Sequence, residues 1–600
     1  MNTRAAGENL VQMFRRQAQT FGSAPMLLSK RAGAWQCMSW NEVREQVDAL
    51  ASGLIALGIR PGDRVALLSE NFPEWVICDL AVLTCGAVTV GIYASLPAAQ
   101  IGICLSDSEA RAIIVSSMPQ LGRAMEAKAA LGEPQHVILM DWEARSADAS
   151  VLSMQQVMAR GRNCDPAERE ARVAGIRPNE VGALVYTSGE SGEPKGVMLT
   201  HRNFISACED CKQALPPLGP EDRNLVLLPL SHIYARTCDY YLMIYCGGTI
   251  TFAEPGEDVG ASVRDIAPTF VNAVPRIYEQ GRAGILCMIE RQGALRRRIY
   301  RWSLRVAHLA GAAQRAGRRV GLWLRVKRGL ADRLVLKRLR ARAGGKLRFL
   351  VCGGTVLAPE VVEFFCDVGL PLLQGYGLTE TSPTISVNPP ERIKPGTVGR
   401  PMPGVQVRIG QYGEILVRGP NVTKGYWNKP GATAEAIKEG WLHTGDLGYL
   451  DDEGYLVLTG RKSDLILTAG GRNVAPQMVE RLLRRDALIA DAVVHADKRG
   501  DLCALIVPAF EELEAVARSR GITFTTRTDL VAHPAVQHLY ETHLDGALSD
   551  LAPFEQVRRF AILDHDFAHQ AGRLVPGSEP SRQEIFQRYA ALLDAHLAPR

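Results

Sequence analysis

Two kinds of apolar pattern alternate over roughly the first 175 residues of the chain. Trp40–Leu54 repeats its apolar residues at helical spacing, whereas Arg64–Leu68 is a short apolar segment that follows a Pro-Gly turn. Ala110–Ser116 and His136–Met140 are likewise short and apolar, as buried strands are. Because helices and strands take turns along the chain, the pattern predicts an α/β layer architecture.

Later segments without a helical period predict further strands. Val405–Ile409 and Gly413–Gly419 alternate apolar and polar residues on either side of a turn, as the strands of a β-hairpin do. The continuously apolar segments, which predict buried strands, are Val181–Val185, Leu225–Leu228 before a polar turn, Phe349–Cys352 before two glycines, and Leu502–Pro508.

Length and composition describe a globular protein of more than one domain. The 600 residues exceed what one hydrophobic core supports, and 46% hydrophobic residues suffice for several. The N-terminus lacks the apolar segment of a secretory signal, and no run of about 18 apolar residues occurs. The 13 cysteines are scattered, and the close pair Cys208 and Cys211 has no second pair to complete a zinc site. These features predict a cytoplasmic protein.

The net charge of +5 is unevenly distributed along the chain. Positions 291–348 form a strongly basic segment, in which Asp332 is the one acidic residue. Within it, Arg296–Arg305 spaces its apolar residues at helical intervals between arginines, which predicts a basic helix. This helix has a solvated face, or it contacts anionic lipid headgroups at a membrane periphery, or it attracts an anionic substrate. Binding to nucleic acid is disfavoured, because no nucleic-acid-binding module surrounds the segment.

Small hydroxylated residues and glycines lead from Tyr186 into Lys195. Backbone N–H groups, hydroxyls and one ammonium can converge there on a phosphate chain. The spacing differs from GxxxxGK[ST], because the lysine follows a proline and precedes a glycine. The segment resembles the phosphate loop of the adenylate-forming superfamily, which comprises acyl-CoA synthetases, luciferases and adenylation domains. That resemblance implies contacts with ATP from Thr187, Ser188, Gly189, Ser191, Gly192 and Lys195.

A second segment, Gln-Gly-Tyr-Gly-Leu-Thr-Glu-Thr at 374–381, is a highly specific signature of the same superfamily. The resemblance implies that Tyr376, beside Gly377, stacks on adenine. It also implies that Thr379 contacts the α-phosphate and that Glu380 holds Mg²⁺. An aromatic face suits a purine, and a carboxylate suits a hard cation that bridges phosphates.

Two other segments supply contacts by the same resemblance. Gly353, Gly354 and Thr355 follow a predicted strand, and their bare backbone permits the close approach of a flat ring. His232 and Tyr234 belong to a Pro-Leu-x-His-x-aromatic segment that lines the acyl pocket in the superfamily. The alternative, a buried histidine with a purely structural role, stays open.

A third signature concerns the ribose and the thioester step. The superfamily uses an Asp and an Arg on the ribose hydroxyls, which implies this role for Asp446 and Arg461. The chain swivels after that arginine in the superfamily, at a hinge expected here at 460–464. Ser463 stands where the superfamily usually has Asp or Lys, and a small hydroxylated residue can also absorb such a change. Gly470 and Gly471 are then expected beside the pantetheine channel of coenzyme A.

The resemblance extends from Asn9 to Leu597, and Val274–Glu279 together with the basic insertion resembles the long-chain acyl-CoA synthetases in particular. It implies a large N-terminal AMP-binding domain at 1–459, with two α/β lobes, a β-rich lobe and a basic helical insertion at about 290–345. A hinge at 460–464 and a small α+β domain at 465–600 are expected to follow.

Two positions depart from the superfamily pattern. Glu190 stands in the phosphate loop where Thr or Ser is usual, and a carboxylate about 4 Å from a phosphate charge costs on the order of 4 kcal/mol at an effective dielectric constant near 20. Glu190 can avoid this cost by turning outward, by ligating Mg²⁺ or by becoming neutral. Glu579 occupies the position of the C-terminal lysine that promotes adenylation, and Arg573 and Arg582 are the nearest cations.

The expected function is therefore that of an ATP- and Mg²⁺-dependent fatty acyl-CoA ligase, with coenzyme A or a carrier-protein thiol as acceptor. Two alternatives stay open. One is an adenylation-impaired relative that performs only a thioester-forming or other acyl-transfer step. The other is a non-catalytic protein that binds acyl groups or nucleotides. The residues of the candidate sites distinguish these functions, because a fold alone does not give a function.

Overall fold

The computed structural model describes residues 7–131, 134–140, 148–188, 194–254, 256–467, 472–496, 501–549, 551–553, 555–567, 585 and 588–589. Within them the chain divides into two compact units. Unit 1 comprises 1–409, 416–444 and 450–457, and unit 2 comprises 410–415, 445–449 and 458–600. The predicted domain limits of 459 and 465 remain predictions.

The strands are β1 Pro25–Arg31, β2 Ala34–Ser39, β3 Arg64–Leu68, β4 Val88–Ile92, β5 Ala110–Val115, β6 His136–Leu139, β7 Val151–Ser153, β8 Val181–Ser188, β9 Pro194–Thr200, β10 Ile250–Phe252, β11 Phe270–Ala273, β12 Phe349–Cys352, β13 Leu372–Tyr376, β14 Ser386–Val387, β15 Arg400–Pro401, β16 Gln406–Ile409, β17 Glu414–Arg418, β18 Ile437–Lys438, β19 Trp441–Leu450, β20 Leu456–Arg461, β21 Ile466–Leu467, β22 Asn473–Val474, β23 Ile489–Ala496, β24 Leu502–Pro508 and β25 Arg559–Ile562.

The α-helices are α1 Leu10–Phe21, α2 Trp40–Ala56, α3 Pro73–Thr84, α4 Ala98–Ser108, α5 Met118–Leu131, α6 Met154–Arg162, α7 Pro166–Gly175, α8 His201–Ala214, α9 Ile233–Ala235, α10 Leu242–Cys246, α11 Val259–Ile266, α12 Pro275–Glu290, α13 Ala294–Arg315, α14 Leu322–Ala331, α15 Lys337–Arg342, α16 Pro359–Asp367, α17 Pro430–Ala436, α18 Pro476–Leu483, α19 Phe510–Ser519, α20 Arg527–Ala532 and α21 Pro534–Ala547.

A seven-stranded sheet in the order β7-β6-β5-β3-β4-β8-β9 forms the first layer of unit 1. Its strands run parallel except β9, which returns antiparallel to β8. Ser39 caps the N-terminus of helix α2, because its hydroxyl accepts the N–H of Glu42 while the Glu42 carboxylate accepts the N–H of Ser39. The predicted α/β architecture is confirmed here, and the carboxyl ends of the parallel strands meet at one edge.

A second sheet of unit 1 has the order β11-β12-β13-β14-β15, and its first three strands are parallel. Its core is built from buried residues of β12 and β13 packed against α16, among them Leu350, Leu372 and Phe365. A smaller three-stranded sheet, β10-β1-β2, also belongs to unit 1. The strands predicted at Val181–Val185 and Phe349–Cys352 are therefore present in the two large sheets.

The strand predicted at Leu225–Leu228 is wrong. Val226 makes only an isolated parallel bridge to Phe252, and no continuous ladder forms in this described segment. The side chain of Asn71 takes over the next backbone groups, because its Nδ2 donates to Leu228 O at 2.8 Å and its Oδ1 accepts from Leu230 N at 2.9 Å. Pro229 between them has no N–H to donate to a ladder.

A buried π-helix at Arg236–Tyr241 follows directly. Its Arg236 forms a fully buried ion pair with Asp79 of α3. Asp239 is also fully buried, and its Oδ1 accepts hydrogen bonds from the Nδ2 atoms of Asn272 at 2.8 Å and Asn224 at 3.1 Å. Burial without a counter-charge disfavours the carboxylate and raises the pKa of Asp239 to about 7.

The predicted basic helix is present as α13, and α14 packs against it to form a helical hairpin within the basic segment. A π-helical turn, Asp332–Leu336, and α15 continue this segment towards β12. Among the described residues, no helix is long and apolar enough to cross a membrane.

Strands β16, β17, β19, β18 and β20 form the predicted β-rich region. Unit 2 contains the sheet β23-β24-β25, with β24 at its centre, and helices α18 to α21. Its core includes Val479, Val494, Leu513 and Tyr540. The strand predicted at Leu502–Pro508 is β24, which pairs antiparallel with β23 and parallel with β25.

Candidate nucleotide and acyl site

The phosphate loop joins two strands of the first sheet. Thr187 of β8 pairs in register with Lys195 of β9, and Ser188 pairs with Pro194. Thr187 and Lys195, which are predicted to contact ATP, are therefore opposite one another near the loop end of the β8–β9 hairpin. Gly189, Glu190, Ser191 and Gly192 lie outside the described residues.

The base of this hairpin is anchored by Tyr186. Its hydroxyl donates to Asp107 Oδ2 at 2.6 Å, and burial raises the pKa of that hydroxyl above its usual range. A Cβ on Gly196, across the hairpin, would lie 3.2 Å from the Tyr186 ring, so glycine leaves room for the aromatic side chain. Sequence reasoning missed Asp107, because nothing in helix α4 marks it as a partner of a residue 79 positions later.

A distant segment, Thr423–Trp427, lies along the outer side of β9. The N–H of Trp427 donates to Gly196 O at 2.8 Å, and the N–H of Met198 donates to Gly425 O at 2.9 Å. Val197 and Tyr426 form an antiparallel bridge. Since backbone groups on both sides are paired, the position of Tyr426 next to the phosphate loop is fixed by the main chain.

Tyr426 connects Lys195 to Glu380. The ammonium Nζ of Lys195 lies 5.3 Å from the centroid of the Tyr426 ring, which is a cation–π distance. The Tyr426 hydroxyl donates to Glu380 Oε1 at 2.8 Å, and Glu380 O accepts the N–H of Thr423 at 2.7 Å. The structure thus brings together two of the predicted phosphate and metal residues through a tyrosine that sequence reasoning missed. Nothing in the sequence around Tyr426 marks it as the shared partner of Lys195 and Glu380.

Glu380 offers one carboxylate oxygen to a metal. No hydrogen bond to its Oε2 occurs among the described residues, and the described chain contains no cluster of three or more metal-binding side chains. Mg²⁺ usually takes one or two carboxylates from a protein and completes its shell with phosphate oxygens and water. One available carboxylate oxygen therefore fits a magnesium ion that arrives with a nucleotide.

The Tyr376–Thr381 segment makes a tight turn after β13. A Cβ on Gly377 would lie 1.2 Å from Pro383 O, so only glycine permits this backbone contact. The Thr381 hydroxyl accepts the N–H of Leu378 at 2.9 Å and so closes the 3-10 turn Thr379–Thr381. The turn presents Thr379 and Glu380 together, as the signature predicts.

Asn421 holds this turn from the other side. Its Nδ2 donates to Thr381 O at 3.0 Å and to Thr384 O at 2.5 Å, and it is fully buried. Ser382 returns a hydrogen bond from its hydroxyl to Asn421 O at 2.9 Å. The buried amide thus makes the turn part of the core, although the sequence motif ends at Thr381.

Gly353 and Tyr376 lie at the same edge of the second sheet. Strands β12 and β13 are parallel neighbours, with Cys352 paired to Gln374, so the residues after both strands share the carboxyl edge. Gly354 has a φ of +99°, a conformation that favours glycine. Gly354 and Thr355 are exposed, and Tyr376 is half-buried. A flat ligand therefore has access to this edge.

Tyr234 is covered by Gly353. A Cβ on Gly353 would lie 3.2 Å from the Tyr234 ring, and the Tyr234 hydroxyl donates to Val351 O at 3.2 Å. Burial raises the pKa of Tyr234 well above its usual range, so the phenol stays protonated. Tyr234, which is predicted to line the acyl pocket, is therefore hydrogen-bonded to β12. It packs against Gly353 at the carboxyl end of that strand, where adenine is predicted to bind.

His232 lies against the first sheet, where its ring centroid is 6.3 Å from that of Tyr93. The Nδ1 atom accepts the N–H of Tyr234 at 3.1 Å and begins α9. Burial lowers the pKa of His232, which favours the neutral ring, and an accepting Nδ1 leaves the proton on Nε2. His232 can thus donate one hydrogen bond from Nε2.

The predicted ribose residues are both in unit 2, where Asp446 Oδ1 lies 3.1 Å from Arg461 Nε. Arg461 is exposed and Asp446 is buried. The expected hinge contains the 3-10 turn Lys462–Asp464, and Lys462 Nζ pairs with Glu414 Oε2 at 3.0 Å. Gly470, Gly471 and Glu579 lie outside the described residues.

Comparison with known families and relatives gives a consistent picture. Residues 14–427 match the family model described as AMP-binding enzyme. The long-chain-fatty-acid–CoA ligase FadD15 of Mycobacterium bovis is 34% identical over 94% of this chain and 92% of its own. The long-chain-fatty-acid–CoA ligase ACSBG2 of Xenopus laevis is 28% identical over 97% of this chain and 83% of its own.

Solved structures share the fold. The anthranilate CoA ligase AuaEII in complex with anthranoyl-AMP superposes with a TM-score of 0.72 at 19% identity, over 98% of both chains. ATP-bound MatB from Rhodopseudomonas palustris gives a TM-score of 0.67 at 22% identity, over 93% of this chain and 95% of its own. The predicted α/β fold class is confirmed by these similarities.

Proposed function

This chain belongs to the AMP-binding enzyme family, in its long-chain acyl-CoA synthetase branch, and from that membership we propose that it is an ATP- and Mg²⁺-dependent fatty acyl-CoA ligase acting through an acyl-adenylate. The relatives that cover almost its whole length are long-chain-fatty-acid–CoA ligases. The observation that carries the proposal is the contact of one tyrosine, Tyr426, with both Lys195 and Glu380.

In this proposal, Lys195 and Glu380 serve the phosphates of ATP. The ammonium of Lys195 attracts phosphate oxygens, and Thr187 beside it offers a hydroxyl donor. Glu380 would hold Mg²⁺ through one carboxylate oxygen while Tyr426 fixes the orientation of that carboxylate. When bound, the metal neutralises charge on the phosphates. Thr379 precedes Glu380 in the same turn, which supports its contact with the α-phosphate.

We assign adenine to the carboxyl edge of β12 and β13. Tyr376 supplies an aromatic face there, and Gly353, Gly354 and Gly377 keep the surrounding backbone free of side chains. The fatty acid lies on the side of Tyr234 and His232 in this scheme. The Nε2–H of a neutral His232 can donate to the substrate carboxylate without bringing a positive charge that would compete with Lys195.

We assign the ribose hydroxyls to Asp446 and Arg461, whose mutual ion pair supports a shared role. A thiol then attacks the adenylate carbonyl, with AMP as the leaving group. We propose coenzyme A as the acceptor, with Gly470 and Gly471 beside its pantetheine arm. A carrier-protein thiol is the second candidate acceptor, because both acceptors present the same phosphopantetheine thiol.

An adenylation-impaired enzyme is the alternative, and it rests on sequence alone, because Glu190 and Glu579 are outside the described residues. Pyrophosphate exchange that depends on a fatty acid separates the two. Robust exchange, followed by thioester formation with coenzyme A, supports the ligase. Thioester formation from a supplied acyl-adenylate without exchange would instead support the impaired enzyme. Binding of nucleotide or acyl groups with neither activity would support a non-catalytic protein.

The position of Glu579 gives a direct test. If this residue enters the site during adenylation, Glu579→Lys raises the rate of pyrophosphate exchange by roughly 10²–10³-fold, because one preorganised charge contact has that effect on a rate. Arg582→Lys is the matched control, since it keeps the charge at a neighbouring position. An unchanged exchange rate in Glu579→Lys would mean that Glu579 is not at the lysine position or that another cation performs this role.

A further inference from the structure

The α13–α14 hairpin carries an apolar surface that no other described part of unit 1 covers. On α14, Leu322, Trp323, Val326 and Leu330 are 75%, 79%, 58% and 51% exposed. Three of them recur every fourth residue, and Trp323 lies about 100° further round the helix, so the four side chains share one face. Large side chains exposed to this extent on one face mark an interaction surface.

The opposite face of α14 holds it to the protein. Ala331 is buried, Leu324 is half-buried, and Arg328 Nη1 donates to Ala307 O of α13 at 3.2 Å. The helix is therefore fixed by one side to α13 and presents the other side outward. The exposed residues are a consequence of this orientation rather than of a helix detached from the fold.

Cations surround the apolar face. Arg325 and Lys327 lie on its two sides around the helix, and Arg318 and Arg319 precede it. The structure records no ion pair for these four residues within the part of the chain that it describes. Between positions 291 and 348 there are nineteen arginines and lysines against one acid, Asp332. This arrangement, with an aromatic and leucines flanked by cations, suits the interface of an anionic bilayer.

A second basic feature lies on α13. An open groove of about 430 Å³ is lined by Ala294, Arg297, Arg298, Arg301, Trp302 and Arg305. Glu290 neutralises one of these arginines, Arg301, at 2.7 Å. The remaining guanidinium groups and the indole offer forked donors and a flat wall, which suit phosphate groups attached to an apolar body.

We propose that the α13–α14 hairpin docks the enzyme on a membrane surface rich in anionic phospholipid, with Leu322, Trp323, Val326 and Leu330 inserted among the acyl chains. A second copy of this chain is a poor partner, because it would bring the same nineteen cations to the interface. The proposal goes beyond the ligase reaction. Vesicle binding is measured without ATP, so either proposal can fail while the other stands.

The first experiment is co-sedimentation of the full-length protein with vesicles of phosphatidylcholine, with and without phosphatidylglycerol. We expect binding to the anionic vesicles and at least about tenfold weaker binding to neutral ones. Leu322→Ser with Trp323→Ser should weaken binding by about tenfold or more, because the inserted apolar area is lost. Tyr412→Ser, which removes an aromatic side chain of similar exposure (75%), should leave binding unchanged. Each variant's thermal midpoint is compared with that of the wild type.

Two further experiments test the contribution of the cations and the insertion of Trp323 into the bilayer. Arg318→Gln with Arg319→Gln should weaken binding to anionic vesicles by roughly tenfold or more, because each cation near the surface contributes about fivefold. Brominated lipids should quench the tryptophan fluorescence of the wild type. They should quench that of Trp323→Phe much less, although this variant still binds the vesicles. Equal binding by the serine variant, equal quenching in Trp323→Phe, or no binding of the wild type would overturn the proposal. So would self-association that Trp323→Ser abolishes in the absence of lipid.

Discussion

At the scale of single residues, the candidate site depends on side chains that orient one another before any ligand binds. Lys195 and Glu380 have opposite charges and belong to different elements, strand β9 and the 3-10 turn Thr379–Thr381, yet both contact Tyr426. A tyrosine suits this position because its ring attracts a cation while its hydroxyl donates to a carboxylate. The phosphate and magnesium contacts that we propose therefore depend on one residue that contributes no charge of its own.

Tyr426→Phe separates these two contributions. The ring and its contact with Lys195 are retained, but the Glu380 carboxylate loses the hydrogen bond that orients it. A hydrogen bond to a charged group contributes about 1.5–3 kcal/mol, so we expect pyrophosphate exchange to fall by roughly 10–100-fold, with a higher Mg²⁺ requirement. Tyr412→Phe, on an exposed tyrosine elsewhere, is the control. Wild-type exchange in Tyr426→Phe at low Mg²⁺ would contradict the assignment.

Gly377→Ala tests the turn that carries the residues proposed to contact adenine and the metal. The added Cβ would lie 1.2 Å from Pro383 O, so the backbone must move. Overpacking of this kind costs about 1–3 kcal/mol, and the displaced turn should also weaken ATP binding measured by calorimetry. Gly284→Ala in α12 meets open space and is expected to stabilise the protein by up to about 1 kcal/mol. Equal ATP affinity in both variants would show that the turn tolerates a side chain.

At the scale of elements, the π-helix Arg236–Tyr241 buries charged groups directly after His232 and Tyr234. Asp239 has a pKa of about 7 in the folded protein against about 4 in the unfolded chain. The folded state therefore binds this proton more tightly, and its stability falls as the pH rises from about 4 through 7. Above pH 7 the cost of the buried carboxylate is on the order of 4 kcal/mol.

Asp239→Asn should remove this dependence. Its amide oxygen can still accept the hydrogen bonds of Asn224 and Asn272, and no charge is buried at any pH. We expect thermal midpoints close to wild type at pH 5 and clearly higher than wild type at pH 8. The exposed residue Asp452 provides the control Asp452→Asn, which should leave the thermal midpoint unchanged at both pH values. A parallel pH profile for wild type and Asp239→Asn would refute the raised pKa.

Local patterns in the sequence predict the elements well where neighbouring residues decide them. The apolar run Val181–Val185 needs no distant information to become a strand, and β8 indeed contains it. Leu225–Leu228 has an equally apolar pattern, but the backbone oxygen of its last residue accepts from the side chain of Asn71, which lies more than 150 positions earlier. No periodicity within the segment reveals that competitor.

The same limit applies to the candidate site. The signatures around Lys195 and Glu380 are continuous in sequence, and in the structure both residues contact Tyr426. Tyr426, Asn421 and Asp107 carry no local signature, because each acts through a partner that is distant along the chain. Local motifs therefore mark the residues proposed to contact a ligand, but not the residues that hold them in place.

At the scale of the whole molecule, the proposed reaction needs two half-reactions, and the superfamily resemblance attributes the change between them to a swivel at 460–464. Lys462–Asp464 forms a 3-10 turn in this structure. Proline fixes φ near −65°, which is compatible with a 3-10 conformation, so Ser463→Pro should lock the turn as it is seen here.

We expect Ser463→Pro to retain one half-reaction and to lose most of the other, because a locked hinge serves one conformation. Pyrophosphate exchange reports adenylation, and release of AMP from a supplied acyl-adenylate with coenzyme A reports thioester formation. The control is Ser463→Ala, which keeps the turn flexible and should retain both activities. Ser519→Pro is not a suitable control, because it would disrupt helix α19. Full retention of both in Ser463→Pro would argue against a swivel at this position.

The bridge between Val197 and Tyr426 has a further consequence for how the protein is made. Strand β9 closes the edge of the seven-stranded sheet, and its outer partner lies 229 residues later in the chain (positions 197 and 426). At a synthesis rate of about 5–20 residues per second, roughly 10–45 s pass before the ribosome delivers that partner. During this interval the newly made sheet has an open edge next to apolar residues, the kind of surface that pairs with other nascent chains. The need for chaperones during expression should therefore depend on the number of residues between β9 and Tyr426. A circular permutant that shortens this separation should aggregate less.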